Sequence, residues 1–402
     1  MKELKCKSIL CIDGAGLFCS FAIKLSDYFG KVFYYNNPND IHPSFVKAAV
    51  GTGFDEITKI EDIFQSDGDY DFDSIDLFVI LDNGYGWLSE HLRSIGKRVF
   101  SVMQSEEIEL NREYSIKLMK EVGLPVPETQ FITGLDKLRE YLKKNDNKII
   151  KISKYRNVFE TWKHETYDLS EPFLDRIEKE LGATQHIIKV IAQDIIDTQI
   201  ETGSDFYSID GKFPDVISQS IEIKDQACFL KMVKQKDLIP QVKEVNDKMS
   251  EVLEEYGCRM FSSTEVRICK DNKGYLVDWT ARLASPVSEI LQELITNLGE
   301  IIWKGSEGEV VEPKYKHEFG LQVLMLNHFA VEDMVCVSIP EKYRSNVKLY
   351  FPTRIKGKDY VCPVAKWEQI GSVIFVGDSL EECVKGIEKV SENVKPYRDW
   401  ET

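Results

Sequence analysis

Short apolar runs alternate with helical stretches in the N-terminal part of the chain. Four such runs lie at residues 8–12, 31–35, 77–81 and 98–100, and a helical pattern follows the first of them. Strands that are apolar along their whole length, and that alternate with helices, are typical of a parallel sheet covered on both faces. The pattern therefore predicts a parallel α/β domain at the start of the chain.

The next part of the chain begins with a helical pattern at residues 108–122, which ends at Gly123 and is followed by two prolines. Glycine at the end of a helix and proline just beyond it are the usual stop signals. Further strands and helices then follow in a mixed order. The predicted strands lie at 148–152, 186–192, 205–209, 262–268, 275–279, 320–325 and 372–376, and the predicted helices at 174–181, 239–256 and 379–394.

Composition narrows the classes of protein that fit the chain. Its 402 residues contain 51 Lys and Arg against 67 Asp and Glu, a formal net charge of -16. A broad nucleic-acid surface needs clustered basic residues, so this charge argues against one. No apolar run approaches the roughly 18 residues that span a bilayer, so we expect no membrane segment. Nine cysteines without a CxxC pair suit a reducing compartment, and we predict a cytoplasmic protein.

The most informative segment is a predicted hairpin at residues 263–282. Its two strands flank a tight turn and place Glu265 across from Asp278. The two-residue period of a strand puts Asp278, Thr280 and Arg282 on one face. Carboxylate and hydroxyl oxygens are hard ligands, which suit Mg²⁺ bound together with phosphate oxygens. A surface hairpin with solvated charges is the alternative interpretation of the same residues.

The order of Glu265 and the motif Asp278-x-Thr280-x-Arg282 resembles the end of the nucleotide site in the ATP-grasp ligases, where a Glu is followed by Glu-x-Asn-x-Arg. Earlier elements of that family also have counterparts in the same order. One is the helical segment that contains Arg112, and the other is the strand that contains Lys151.

Among the branches of that family, the phosphoribosylamine–glycine ligase type is the most similar. Residues 207–214 resemble its segment ending in Asp-Gly, and residues 371–382 resemble its C-terminal strand and helix. The resemblance implies a multidomain fold of mixed α/β and α+β class. It consists of an N-terminal parallel α/β (pre-ATP-grasp) domain at 1–105, a central ATP-grasp domain at 106–315 with a lid subdomain at about 128–195, and a small C-terminal α+β domain at 316–402.

The resemblance also implies an activity, in which ATP phosphorylates a carboxylate and an amine then displaces phosphate to form an amide. Its cofactors would be ATP and Mg²⁺, or Mn²⁺ in place of Mg²⁺, and its partners a small-molecule carboxylate and amine. Ten residues take the corresponding roles: Lys151 and Arg112 on the phosphates, Asp194 and Glu201 on the ribose or adenine, Glu265, Asp278 and Thr280 on the metal, Arg282 at the carboxylate or acyl phosphate, and Arg156 and Lys163 in a phosphate-covering loop.

Departures from the family pattern limit what this resemblance implies. The Gly-Gly-Arg-Glu-His turn of the glycine ligase is replaced by Asp-Gly-Ala-Gly-Leu at residues 13–17, so we expect a different substrate. Two alternatives remain open: an ATP-binding regulatory or interaction protein without catalysis, and an NAD-dependent oxidoreductase that uses the Gly14-x-Gly16 turn at a helix start. We expect a monomer or a homodimer.

Overall fold

The computed structural model describes residues 3–37, 49–152, 161–364 and 367–397. The strands are β1 (Ser8–Ile12), β2 (Lys31–Tyr35), β3 (Thr58–Lys59), β4 (Leu77–Ile80), β5 (Val99–Phe100), β6 (Thr129–Thr133), β7 (Lys148–Ile152), β8 (Thr161–His164), β9 (Lys189–Asp194), β10 (Thr198–Ile209), β11 (Val216–Ile223), β12 (Ala227–Lys234), β13 (Arg259–Cys269), β14 (Gly274–Thr280), β15 (Phe319–Leu326), β16 (Val335–Ser338), β17 (Val347–Leu349), β18 (Pro352–Ile355), β19 (Lys358–Val361), β20 (Gln369–Gly377) and β21 (Lys395–Tyr397). The α-helices are α1 (Cys19–Leu25), α2 (Gly86–Ser94), α3 (Glu107–Leu110), α4 (Arg112–Glu121), α5 (Leu135–Leu142), α6 (Tyr167–Leu181), α7 (Pro240–Glu255), α8 (Val287–Leu294), α9 (Leu298–Ser306) and α10 (Leu380–Ser391).

The predicted N-terminal parallel sheet is confirmed. It has five parallel strands in the order β3-β2-β1-β4-β5. Successive side chains of a strand point to opposite faces, and both faces of this sheet are covered. Ile9 and Cys11 pack with α1 on one face, and Leu10 and Ile12 pack with Leu88 of α2 on the other. This two-sided burial explains why the strands are apolar throughout.

The largest element of the fold is an eight-stranded antiparallel sheet in the order β14-β13-β10-β11-β12-β15-β20-β17. Helix α7 covers one face of its first strands, with Val242, Val245 and Met249 in the core. A proline in the first turn of α7 fits that position because the first turn has no internal hydrogen bond to lose. Strands from both sides of residue 315 join this one sheet, and the residue boundaries between the domains stay a prediction.

Two smaller antiparallel sheets complete the fold. The sheet β6-β9-β7-β8 packs against α5 and α6 around a core of its own, which includes Leu138, Ile150 and Leu174. The sheet β18-β19-β16-β21 lies near the C-terminus. The mixed α/β and α+β class is therefore as predicted. Among the residues that the structure describes, no helix is long and apolar enough to cross a membrane.

The single helix predicted at 108–122 is wrong, because the chain forms two helices there. The break falls at Asn111, whose backbone leaves the helical region (φ -117°, ψ 85°). The Asn111 side chain accepts a hydrogen bond of 3.3 Å from the Tyr114 backbone N–H, so it caps the start of α4. The break leaves Glu109 on α3 and Arg112 on α4.

Candidate functional site

The hairpin of β13 and β14 has the predicted register. Glu265 pairs with Asp278, and Ser263 pairs with Thr280. Residues that face each other across two strands share one face of the sheet, so Glu265, Asp278 and Thr280 lie together. A bulge directly after Glu265 pairs Val266 with Leu276, which locally kinks the hairpin at this point.

Neighbouring strands extend this polar face. Asp205 of β10 pairs with Ser263 of β13 on one side and Ser218 of β11 on the other. The alternation along β10 and β11 places Glu201 and Glu222 on the same face. Small residues between these carboxylates leave room for a cavity of about 240 Å³. Its lining includes Glu201, Gly203, Asp205, Ser220, Glu222, Lys224, Ser263, Glu265, Asp278, Thr280 and Arg282.

Gly203 lets β10 and β13 approach each other at the floor of this cavity. A Cβ atom at this position would lie 1.7 Å from the carbonyl oxygen of Thr264, which no side chain tolerates. The same absence of a side chain keeps the floor open between Glu201 and Asp205.

The carboxylates of the cavity repel one another. Partial removal from water, and then the negative charge of Glu201, raise the pKa of Glu265. The pKa of Asp278 is raised first by the protein atoms that displace water around it, and then by the charges of Glu109 and Glu265. The Asp278 side chain is nevertheless open to solvent. Arg267 partly offsets this repulsion, because its guanidinium lies 3.1 Å from both Glu201 and Glu265. An anionic cavity of this kind favours a bound cation.

Asp205 is the most deeply placed of these carboxylates. Its exposed fraction is 2%, and neither of its carboxylate oxygens accepts a hydrogen bond of good geometry, although the Ser263 and Ser220 hydroxyls lie nearby. Burial raises its pKa to about 6, against a smaller opposing effect of the Ser263 and Ser220 hydroxyls. Burying a carboxylate without a partner is unfavourable, and native proteins rarely do so without a reason.

Arg282 lies where the sheet meets the N-terminal domain. Its Nε lies 3.2 Å from a carboxylate oxygen of Glu109 and 3.9 Å from one of Asp82. The backbone around it is fixed as well, since Ala281 N–H donates to Glu109 and Leu283 N–H donates to the carbonyl of Leu81. The guanidinium is thereby held at one edge of the carboxylate cavity.

Lys151 and Arg112 come together in a second pocket on the other side of Asp278. Lys151 Nζ lies 3.5 Å from the carbonyl oxygen of Val277, and Arg112 donates a 2.8 Å hydrogen bond to the carbonyl of Ile152. Burial lowers the pKa of Lys151, although Asp278 opposes this effect. The two predicted phosphate cations therefore line one pocket, which Asp278 also borders.

The structure separates other predicted residues from this site. Lys163 is paired with Glu165 at 2.7 Å and lines a different pocket on the small sheet, with Trp162 and Phe173. The predicted role of Lys163 on the phosphates therefore finds no support in this arrangement. Arg156, the other cation of that loop, lies outside the described residues.

The two residues predicted to contact the ribose or adenine, Asp194 and Glu201, do not line the Lys151 pocket. Asp194 ends β9 and pairs with Lys148, so it points away from Lys151. Gln193, one residue earlier on the same strand, lines the Lys151 pocket instead, as strand alternation requires. Glu201 lies in the carboxylate cavity beside Glu265 and does not line that pocket.

The Gly14-x-Gly16 turn is not open to an anion. The N–H of Gly16 donates to Asp13, and the N–H of Ala15 donates to Asp82. Asp13 also accepts from the N–H groups of Leu17 and Phe18. Because the protein's own carboxylates occupy these donors, the turn gives no support to the NAD-binding alternative.

Glu265 and Asp278 fit a magnesium ion. They are direct cross-strand neighbours, Thr280 lines the same cavity, and the repulsion that raises the pKa of Asp278 would be relieved by a cation. Across the described ranges, no group of three or more His, Cys, Asp or Glu side chains is arranged to hold a metal ion. Two carboxylates suffice for Mg²⁺, which keeps several waters and takes its other ligands from phosphates.

Sequence reasoning missed Glu109, Asp205, Glu222 and Arg267. A signal for two of them was present, since residues 201–205 and 218–222 carry polar or small residues at every second position. This period marks the polar face of a strand. Of the strands that carry it, β10 pairs with β13 across a long stretch of sequence and β11 pairs with β10, so their convergence on Glu265 was not visible. Glu109 reaches the site through the helix break, which was also not predicted.

The fold is similar to that of several solved ligase structures. Phosphoribosylamine–glycine ligase from Thermotoga maritima superposes with a TM-score of 0.71 at 15% identity, over 97% of each chain. L-amino acid ligase from Bacillus licheniformis gives 0.65 at 15% identity, over 98% of this chain and 99% of that chain. The biotin carboxylase domain of 2-oxoglutarate carboxylase from Hydrogenobacter thermophilus, in complex with MgADP and bicarbonate, gives 0.64 at 11% identity, over 97% and 90%.

These likenesses extend over nearly the whole chain and show that it has the ATP-grasp fold, as the sequence resemblance implied. No family model matches the chain, and no curated protein matches it. Activity and substrates therefore have to be argued from the site itself.

Proposed function

We propose that the protein is an ATP-dependent ligase that joins a carboxylate to an amine. In the first step a carboxylate oxygen attacks the γ-phosphorus of ATP, so that ADP leaves and an acyl phosphate forms. In the second step the amine attacks the acyl carbon, the bond from that carbon to the phosphate oxygen breaks, and phosphate leaves as the amide forms. Of the two protons that the ammonium form of the amine must lose, one leaves with phosphate and one goes to solvent.

One observation carries this proposal: Asp278 borders both a pocket lined by two cations and the larger carboxylate cavity. Lys151 and Arg112 border it on one side, in a pocket that suits the phosphates of a nucleotide. On the other side are the Glu265 carboxylate and the Arg282 guanidinium, at the edge of the larger cavity. Such an arrangement can hold a nucleotide triphosphate end-on toward a second anion, which is the geometry that phosphoryl transfer to a carboxylate needs.

Each residue has a defined task in this scheme. Lys151 and Arg112 bind the phosphates of ATP, and their charges oppose the repulsion between phosphates. Arg282, oriented by Glu109 and Asp82, binds the carboxylate with its planar fork and keeps it in line. Mg²⁺ bound by Glu265 and Asp278, with Thr280 beside them, would supply charge neutralisation of the transferring phosphate. Mn²⁺ has the same ligand preference and is an expected substitute.

The test is ADP release from ATP with a panel of carboxylates and amines, measured for the wild type and two pairs of variants. We expect one carboxylate and amine pair to stimulate ADP release at least about a hundredfold, and Glu265→Gln and Asp278→Asn to abolish most of it. Glu251→Gln and Asp237→Asn make the same chemical changes at exposed positions and are the matched controls. Binding of ATP without stimulation by any pair would favour the regulatory alternative.

We also propose that the ligase acts in the cytoplasm on small molecules, as a monomer or a homodimer. All nine cysteines are free, and eight of them are buried, as expected of thiols in a reducing compartment.

A further inference from the structure

A second cavity of about 200 Å³ adjoins the carboxylate cavity and shares no lining residue with the Lys151 pocket. Four residues line both cavities, and they form the boundary between them: Glu222, Arg282, Ser285 and Pro286. A molecule in the second cavity therefore lies beside Arg282, the residue that the proposed function places on the carboxylate.

The walls of the second cavity combine negative charge with apolar and aromatic surface. Glu222 and Asp225 supply carboxylates from β11 and the turn that follows it. Tyr350 and Trp367 supply rings, and Leu324 adds aliphatic surface. This combination recognises a positively charged group joined to an apolar body, since carboxylates pair with the charge and aromatic faces attract it further.

Contacts beneath the surface hold the aromatic wall in place. Tyr350 is 1% exposed, and its hydroxyl accepts a 3.0 Å hydrogen bond from Ser285. Trp367 packs edge-on against Phe351, with ring centroids 6.2 Å apart. A wall that is ordered before a ligand arrives loses little entropy on binding.

The charges around the two cavities also favour a cationic ligand. Arg282 is a cation of this lining, but its guanidinium is already paired with Glu109. The unpartnered carboxylate of Asp205 lies close by, in the adjoining cavity. A cationic ligand would relieve this excess of negative charge, whereas a phosphorylated one would add to it.

We propose that the second cavity binds the amine substrate, and that it selects an ammonium group attached to an apolar or aromatic body. This inference rests on the ligase activity proposed above and specifies its acceptor. Glu222 and Asp225 bind the ammonium group, and Trp367 and Leu324 contact the body in front of the buried Tyr350. The amine enters next to the acyl phosphate held at Arg282. The cavity is not suited to a phosphorylated amine.

Binding of three small probes tests the cavity directly, by isothermal titration calorimetry on the full chain. The probes are 2-phenylethylamine, its neutral counterpart 2-phenylethanol, and O-phosphoethanolamine, which carries an ammonium and a phosphate. We expect the first to bind at least about tenfold more tightly than either of the others. Equal affinity for the amine and the alcohol, or no binding of the amine, would overturn the inference.

Variants then locate the binding. Glu222→Gln and Trp367→Leu should each weaken 2-phenylethylamine at least about fivefold, whereas Glu251→Gln should not. Trp367 lines only the second cavity, so Trp367→Leu should also leave MgADP binding unchanged. If ADP release is stimulated by an amine and its KM does not respond to Glu222→Gln or Trp367→Leu, the inference fails and the ligase proposal stands. If no amine stimulates ADP release, the ligase proposal itself fails.

Discussion

The substitution Asp205→Asn gives a stability test of the carboxylate cavity that does not depend on any substrate. The pKa of Asp205 is about 6 in the folded protein, against an ordinary value of 3.8. A raised carboxyl pKa means that the folded state binds the proton more tightly than the unfolded chain does. Ionisation of Asp205 therefore destabilises the fold as the pH rises from about 4 to 6, and the full penalty is present above that range.

The size of this penalty follows from the two pKa values. It amounts to roughly 3 kcal/mol at pH 7.5 and about half of that at pH 5, because at pH 5 the folded protein still keeps most of the proton. Asparagine cannot ionise, so Asp205→Asn removes the penalty. The free energy of unfolding of Asp205→Asn, relative to that of the wild type, should increase by about 1 to 2 kcal/mol from pH 5 to pH 7.5.

Thermal unfolding at pH 5 and pH 7.5, without nucleotide or divalent cations, measures this difference. We expect the melting temperature of Asp205→Asn, relative to that of the wild type, to be higher at pH 7.5 than at pH 5. The exposed control Asp237→Asn should show no such change. Asp205→Asn also removes a charge that helps to raise the pKa of Glu222, and the relief of this second penalty adds to the gain at pH 7.5. A gap for Asp205→Asn that is constant, or that shrinks at pH 7.5, would refute the assignment of Asp205 as an unpartnered buried carboxylate.

Three further substitutions test separate parts of the site. Lys151→Met should weaken ATP binding at least about tenfold in a calorimetric titration, whereas Lys163→Met should change it less than about twofold, and the reverse order would contradict the assigned phosphate pocket. Gly203→Ala should lower stability by at least about 2 kcal/mol in thermal unfolding, because its Cβ would meet the Thr264 carbonyl, and an unchanged melting temperature would refute that contact. Asn111→Ala should cost about 1 kcal/mol through loss of the α4 cap and Asn111→Ser much less, so equal melting temperatures for the two variants would argue against the cap.

Local signals made much of the fold predictable. The apolar strands of the N-terminal sheet are buried on both faces, and that burial leaves a continuous apolar run in the sequence. The hairpin of β13 and β14 was predictable because a two-residue period and a tight turn fix its register, which brings Glu265 to Asp278.

Other features depend on pairings that a local pattern does not contain. Asp205 reaches Ser263 across more than fifty residues of sequence, and β15 joins β12 from beyond the predicted boundary near residue 315. The position of Lys163 depends on such a pairing too. Its place in a loop next to Lys151 suggested the phosphates, but β8 pairs with β7 so that Lys163 lies with Glu165.

The central claim is that a carboxylate is activated through an acyl phosphate, and transfer of an oxygen isotope tests it most directly. The carboxylate that best stimulates ADP release is labelled with ¹⁸O, and the phosphate released in the complete reaction is analysed by mass spectrometry. The proposed chemistry predicts one ¹⁸O atom in each phosphate, because the oxygen that attacks the γ-phosphorus leaves with it. Unlabelled phosphate formed at the same rate as ADP would contradict the acyl phosphate and, with it, the proposed ligase reaction.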